Sequence, residues 1–120
     1  MLLSRQEAED AELILLRFLC QSQREAGARS AIFEALRRYR FVAMFQQVLF
    51  DCLTALPATL TEMPDMPKMT EVLLAERLVR AGFPDFDLQP YLSGAVVSGA
   101  EADSLCRRLL AGDAGIEGSR

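Results

Sequence analysis

The chain has 120 residues, 51% of them hydrophobic and 25% charged, with a net charge of −4 and no histidine. That length bounds it to one domain, able to bury roughly two thirds of its unfolded surface without disulfides or metals. The negative balance excludes broad, non-specific nucleic-acid binding, which needs a basic surface to neutralise phosphates, and the missing histidine removes the commonest general base and metal ligand.

The first element is announced by Ser4-Arg5-Gln6-Glu7, a capping box in which hydroxyl and carboxylate each satisfy the other residue's amide. Glu9, Asp10 and Glu12 put further negative charge near the positive end of the helix dipole. The spacing predicts a helix through Leu13-Ile14-Leu15-Leu16-Arg17-Phe18-Leu19 to about Glu25, with Gly27 as its left-handed stop. Ala11, Ile14, Leu15 and Phe18 form the face expected to meet the core. Leu13, Leu16 and Cys20 fall on another face at i, i+3, i+7 spacing, bordered by Glu9, Arg17 and Arg24. An apolar strip rimmed by charge is expected to face another subunit or a partner helix. The alternative is that the second or the final helix folds over it.

Ser30 is placed to cap a second, shorter helix from Ala31 to about Tyr39, with Ile32, Phe33 and Leu36 inward. Arg37, Arg38 and Arg40 form a basic cluster at its end. They either complement the helix dipole or form a docking patch for an acidic partner or a phosphate backbone. Phe41 to Leu56 holds no Gly or Pro, and Pro57 ends it. Val42, Phe45, Leu49, Cys52 and Leu56 share a stripe that Val48 and Leu53 widen, and this stretch is expected to be the central rod. Periodicity alone would join Ala31 to Leu56 in one helix.

Pro57, Pro64 and Pro67 mark an irregular connector through Thr59, Thr61 and Glu62, in which Met63, Met66 and Met69 read as gap fillers over the core. Thr70 is placed to cap a helix from Glu71 to Ala81, and Gly82 with Phe83 reads as a Schellman stop. Leu88 to Ser93 suits one or two helical turns with Tyr91 and Leu92 inward. Ser98-Gly99-Ala100-Glu101 is a second capping box, opening a final helix to about Ala111 with Gly112 as its stop. Residues 1–112 therefore read as a single helical domain and 113–120 as a flexible tail.

Chemistry-bearing motifs are absent. The sequence has no GxxxxGK[ST] loop, no GxGxxG turn and no GxSxG elbow, and no cysteine has a histidine to activate it. Cys20, Cys52 and Cys106 are odd in number and far apart, which suits small buried hydrophobes in a reducing compartment rather than disulfides or a metal knuckle. Met1-Leu2-Leu3 runs straight into a charged helix start, unlike a signal peptide, so a cytoplasmic location is expected, with no membrane association. Neither a catalytic site, a cofactor nor a metal is expected.

The order of elements resembles the globular head of the N-terminal domain of DnaB-type replicative helicases, a helical head shared by the helicase-binding C-terminal domain of DnaG-type primases. The matching residues are the helix start Glu7-Ala8-Glu9, then Phe41 leading into Val48-Leu49-Phe50-Asp51-Cys52-Leu53, then Leu74-Ala75-Glu76-Arg77-Leu78 with Gly82, Tyr91-Leu92, and Val96-Val97-Ser98-Gly99-Ala100-Glu101. The resemblance spans about Glu7 to Leu110. In the family a phenylalanine loop separates the second and third helices, so a break is expected near Arg40 to Val42. The chain departs from the pattern at Ala43, Gln46 and Gln47, where the family carries a proline and a basic pair, and it has neither the helical hairpin nor the ATP-hydrolysing motor. The fold is expected to be an all-α, irregular bundle of about five or six helices. The resemblance implies a non-enzymatic protein–protein interaction module connected with DNA replication, with a helicase or a primase as its partner. The rival expectations are a small regulatory or structural homodimer, and a weak nucleic-acid accessory protein using Arg29, Arg37, Arg38 and Arg40.

Overall fold

A computed structural model describes residues 3–21, 25–57, 60 and 63–118, apart from the side chains of residues 26 and 112–118. Six helices occur among the described residues, and no strand: α1 Arg5–Gln21, α2 Ala26–Leu36, α3 Met44–Thr54, α4 Met66–Arg80, α5 Gln89–Leu92 and α6 Gly99–Gly118. The protein is an all-α helical bundle. None of these helices is long and apolar enough to cross a membrane.

α1 opens on the capping box the sequence predicts. The Ser4 amide donates to Glu7 Oε1 at 3.0 Å and the Glu7 amide to Ser4 Oγ at 3.1 Å. The Ser4 backbone hydrogen bond is the main reason the Glu7 carboxyl is held below its ordinary value. α1, not α3, is the central helix, which corrects the expectation of a rod at Phe41–Leu56. It packs against each of the other five helices, and Leu15, Leu16, Phe18, Leu19 and Cys20 are fully buried. α3 packs against α1 and α4. Its Leu49, Phe50 and Leu53 are buried, whereas Met44 and Phe45 are 78% and 52% exposed. The apolar stripe of α3 is therefore covered at its middle and open at its N-terminal end, where Phe45 rests on the ring of Phe86 with centroids 6.2 Å apart.

The predicted break before α3 is present, and it spans residues 37–43. Phe41 is buried there between the rings of Tyr39 and Phe50, at 5.1 and 5.3 Å. The Phe41 amide donates to Gln47 Oε1 at 3.1 Å and the Val42 amide to Glu12 Oε2 at 2.8 Å. Side chains thus satisfy amides that a continuous helix would have used itself, which is why one helix from Ala31 to Leu56 does not form.

Three boundaries move. α2 begins at Ala26, so Gly27 and Ser30 lie inside it rather than stopping one helix and capping the next. α4 begins at Met66 with Pro67 in its first turn, where a missing amide costs nothing; Thr70 is fully buried in the helix and caps nothing. α6 continues past Gly112 to Gly118. Arg24 and the Thr59, Thr61 and Glu62 part of the connector lie outside the described residues. The α4 terminus follows prediction: Gly82 has φ 94°, the Phe83 amide reaches Leu78 O at 2.8 Å and the Gly82 amide reaches Val79 O at 3.1 Å, the bond pair of a Schellman motif.

Candidate functional site

The strip of Leu13, Leu16 and Cys20 is not an exposed surface. Leu16 and Cys20 are fully buried and Leu13 is half-buried against the same core. The reason is that α2, α5 and α6 all pack around α1. Polar residues on α1 fasten that cover: Arg17 Nε donates to Pro90 O at 2.8 Å and Gln21 Nε2 to Tyr91 O at 3.0 Å, holding α5 by its carbonyls. Burial pushes the Cys20 thiol up to about 12. These three residues belong to the interior rather than to a partner surface.

The basic cluster is exposed as expected at Arg37, Arg38 and Arg40, with Arg37 paired to Glu34 at 3.4 Å. Arg29 does not join it. Its Nε donates to Leu19 O at 2.9 Å, its guanidinium lies 4.7 Å from the centroid of the Phe33 ring, and burial lowers its pKa. It closes the end of α1 and holds α2 against it.

A buried polar network is the feature that sequence periodicity hides. Glu12 is fully buried on α1. Its Oε2 accepts the Tyr39 hydroxyl at 2.5 Å and the Val42 amide at 2.8 Å, and its Oε1 accepts Gln46 Nε2 at 3.0 Å. Gln46 Oε1 in turn accepts the Tyr91 hydroxyl at 3.2 Å. Glu12 therefore takes up the Val42 amide just before α3, whose N-cap position is Ala43, and places its negative charge near the positive end of that helix. Burial raises the Glu12 pKa, and the bonds from Tyr39, Val42 and Gln46 hold the rise back. A carboxylate whose oxygens accept from these donors ties α1 to Tyr39, Val42 and Gln46. Glu25 repeats the device at α6, where its two oxygens accept the Gly99 amide at 3.0 and 2.9 Å. The signal for Glu12 was present in the sequence: it lies one turn from Ala8 and from Leu15 and Leu16, an acid inside an apolar face.

The surface offers a groove of about 420 Å³ between α3 and the end of α4. Val48, Cys52, Ala55, Ala81 and Phe83 give it an apolar lining, and Asp51, Arg77 and Arg80 give it charge. α3 supplies Val48, Asp51 and Cys52 at i, i+3, i+4, one face of a helix. The Schellman turn carries Phe83 away from its own helix, so the ring is 38% exposed at the groove. Arg80 pairs with Glu76 at 2.7 Å, whereas Arg77 has no ion-pair partner among the described residues. Arg77 acts electrostatically on Cys52, opposing burial and Asp51, which together push that thiol up. Cys52 is thus a protonated, nearly buried floor residue and not an activated nucleophile. Among the described residues no group of three or more His, Cys, Asp or Glu is placed to hold a metal ion. The groove can seat an apolar side chain and place a negative group against arginine. No family model, no curated protein and no solved structure matches the chain.

Proposed function

We propose that this chain is a non-enzymatic protein–protein interaction module of the cytoplasm, connected with DNA replication through contact with a helicase or a primase. The observation that carries the interaction reading is the open groove between α3 and α4, apolar with an arginine wall. The connection with replication rests on the ordered set of residues from Glu7 to Glu101 that resembles the helicase head. Binding of the purified chain to purified replicative helicase and to purified primase, measured by calorimetry, tests it. Saturable binding to either is the expected result. No binding to either removes the replication reading.

A second reading is favoured by the exposure of Arg37, Arg38 and Arg40. Single-stranded DNA titrated against the chain at rising salt distinguishes it. Tight binding that weakens steeply with salt and disappears when all three arginines become glutamine would make this a nucleic-acid accessory protein.

A further inference from the structure

The groove between α3 and α4 has the chemistry of a particular ligand. Its floor is Val48, Cys52, Ala55 and Ala81, and its aromatic lip is Phe83. Arg77 and Arg80 stand one turn apart on the same wall. Opposite them Asp51 accepts Gln47 Nε2 at 3.1 Å. Arg77 and Arg80 against Asp51 leave the lining with one excess positive charge on a chain whose net charge is −4. A carboxylate can be bound bidentately by a guanidinium, and Arg77, unlike Arg80, has no carboxylate partner among the described residues. A volume of about 420 Å³ accommodates one or two large side chains rather than a folded domain.

We infer that the groove binds a short amphipathic helix of another protein, with one apolar side chain seated on Val48, Cys52 and Phe83 and a carboxylate one turn away held by Arg77 and Arg80. This rests on the interaction-module reading and specifies its docking site. On a helix, an anchor and a carboxylate at i and i+3 or i+4 project from one face, so a single short helix can present both groups to this lining. A basic peptide is disfavoured by the same two arginines. The phenyl ring of Phe83 and the Val48 side chain supply apolar area at the centre, and the charges form the rim that sets register and orientation.

The test is selection of a displayed library of random twelve-residue peptides on the full chain. The expected winners carry Leu, Ile, Phe or Trp with Asp or Glu three or four residues away. A synthetic copy of the leading peptide should shift the amide resonances of Val48, Ala55 and Ala81. Arg77→Glu should weaken its binding at least about tenfold, which is about 1.4 kcal/mol, and a peptide whose acid is replaced by Arg should recover affinity on that variant. Arg77 is exposed and has no ion-pair partner among the described residues, so the variant keeps its fold, checked by an unchanged circular dichroism spectrum. Phe83→Ala should weaken binding as well. Failure to enrich any sequence, enrichment of basic peptides, or binding indifferent to both substitutions would overturn the inference. Helicase or primase binding that persists in Arg77→Glu and Phe83→Ala would sink the groove while leaving the module reading intact. An enriched acidic consensus with neither enzyme bound would do the reverse.

Discussion

α1 and α3 are both rich in apolar residues, yet the bundle uses them in opposite ways. α1 begins with charged residues, and its sequence suits a terminal helix with one face outward; it is instead touched by every other helix. α3 has the denser apolar run, but it lies to one side with Met44 and Phe45 in solvent. Apolar density decides that a helix is buried somewhere along its length. Centrality is decided by what its polar residues can reach. α1 carries Glu12, which bonds the Val42 amide before α3 and the Gln46 side chain on it, and Arg17 and Gln21, which hold α5 by its carbonyls, and a helix that reaches so many of its neighbours must lie among them.

Removing that grip should have the largest effect. Glu12→Ala removes the oxygens that accept the Val42 amide and the Tyr39 hydroxyl, and one of the two acceptors of Gln46 Nε2, which keeps the Glu9 carbonyl. The expected loss is about 3–5 kcal/mol, because each buried donor deprived of its acceptor keeps its desolvation penalty. Urea unfolding measures it, and a loss near zero would mean the network is incidental. Glu12→Gln sharpens the point through pH. The Glu12 pKa is raised above its ordinary 4.5 by burial, so the folded chain holds this proton more tightly than the unfolded chain. Its contribution to stability therefore falls as pH rises from the ordinary value toward the raised one. The melting temperature of Glu12→Gln should gain on that of the parent as pH climbs from about 4.5, the value the group has when unfolded.

Leu16 decides between the two pictures of α1. Fully buried, it should cost about 2–5 kcal/mol as Leu16→Ala. Had its strip faced a partner, the same change would leave the monomer's melting temperature nearly unaltered. Differential scanning calorimetry on the monomeric chain separates the outcomes.

Much of the fold was legible because local chemistry and tertiary structure agree. The capping box at Ser4 and Glu7 and the Gly82 stop are decided within a few residues. What was not legible depends on distant partners. Gly27 can stop a helix or sit within one, and α2 resolves the choice by packing on α6. Glu12 lies in an acidic run that suits a helix start, and only Tyr39, Val42 and Gln46, far along the chain, give it a buried role. The groove is harder still to read, since its α3 and α4 residues are joined by a connector rich in proline and come together only in the tertiary structure.

The second carboxylate supplied to a helix start from another part of the chain should matter less than the first, because Glu25 is exposed. A Cβ placed on Gly99 would stand 2.7 Å from Glu25 Oε1 and 3.0 Å from Ala28 Cβ. Gly99→Ala must displace the carboxylate and press on α2. Its better helix propensity offsets about 1 kcal/mol of that damage, and the cap it loses is worth about 1–2 kcal/mol. A net destabilisation of about 0–1 kcal/mol is expected from these opposing terms. If Gly99→Ala stabilises the chain in urea unfolding, the Glu25 carboxylate contributes little to the position of α6.

The smallest effect tests the other side of the comparison, within α3 itself. Phe45 and Leu49 occupy the same apolar stripe, one turn apart, and periodicity gives them equal standing. Leu49 is fully buried, so Leu49→Ala should cost about 2–5 kcal/mol. Phe45 is 52% exposed and its inner contact is the ring of Phe86. Half the burial of a phenylalanine, together with one tilted ring pair, is worth about 1–2 kcal/mol. Part of that returns when Phe86 relaxes toward Tyr91, whose ring already lies 6.1 Å away. Phe45→Ala should therefore cost no more than about 1 kcal/mol, despite deleting the larger side chain. Thermal unfolding of the two variants side by side is the measurement. A Phe45→Ala loss equal to that of Leu49→Ala would show that the N-terminal end of α3 is covered in solution, restoring it as an interior rod.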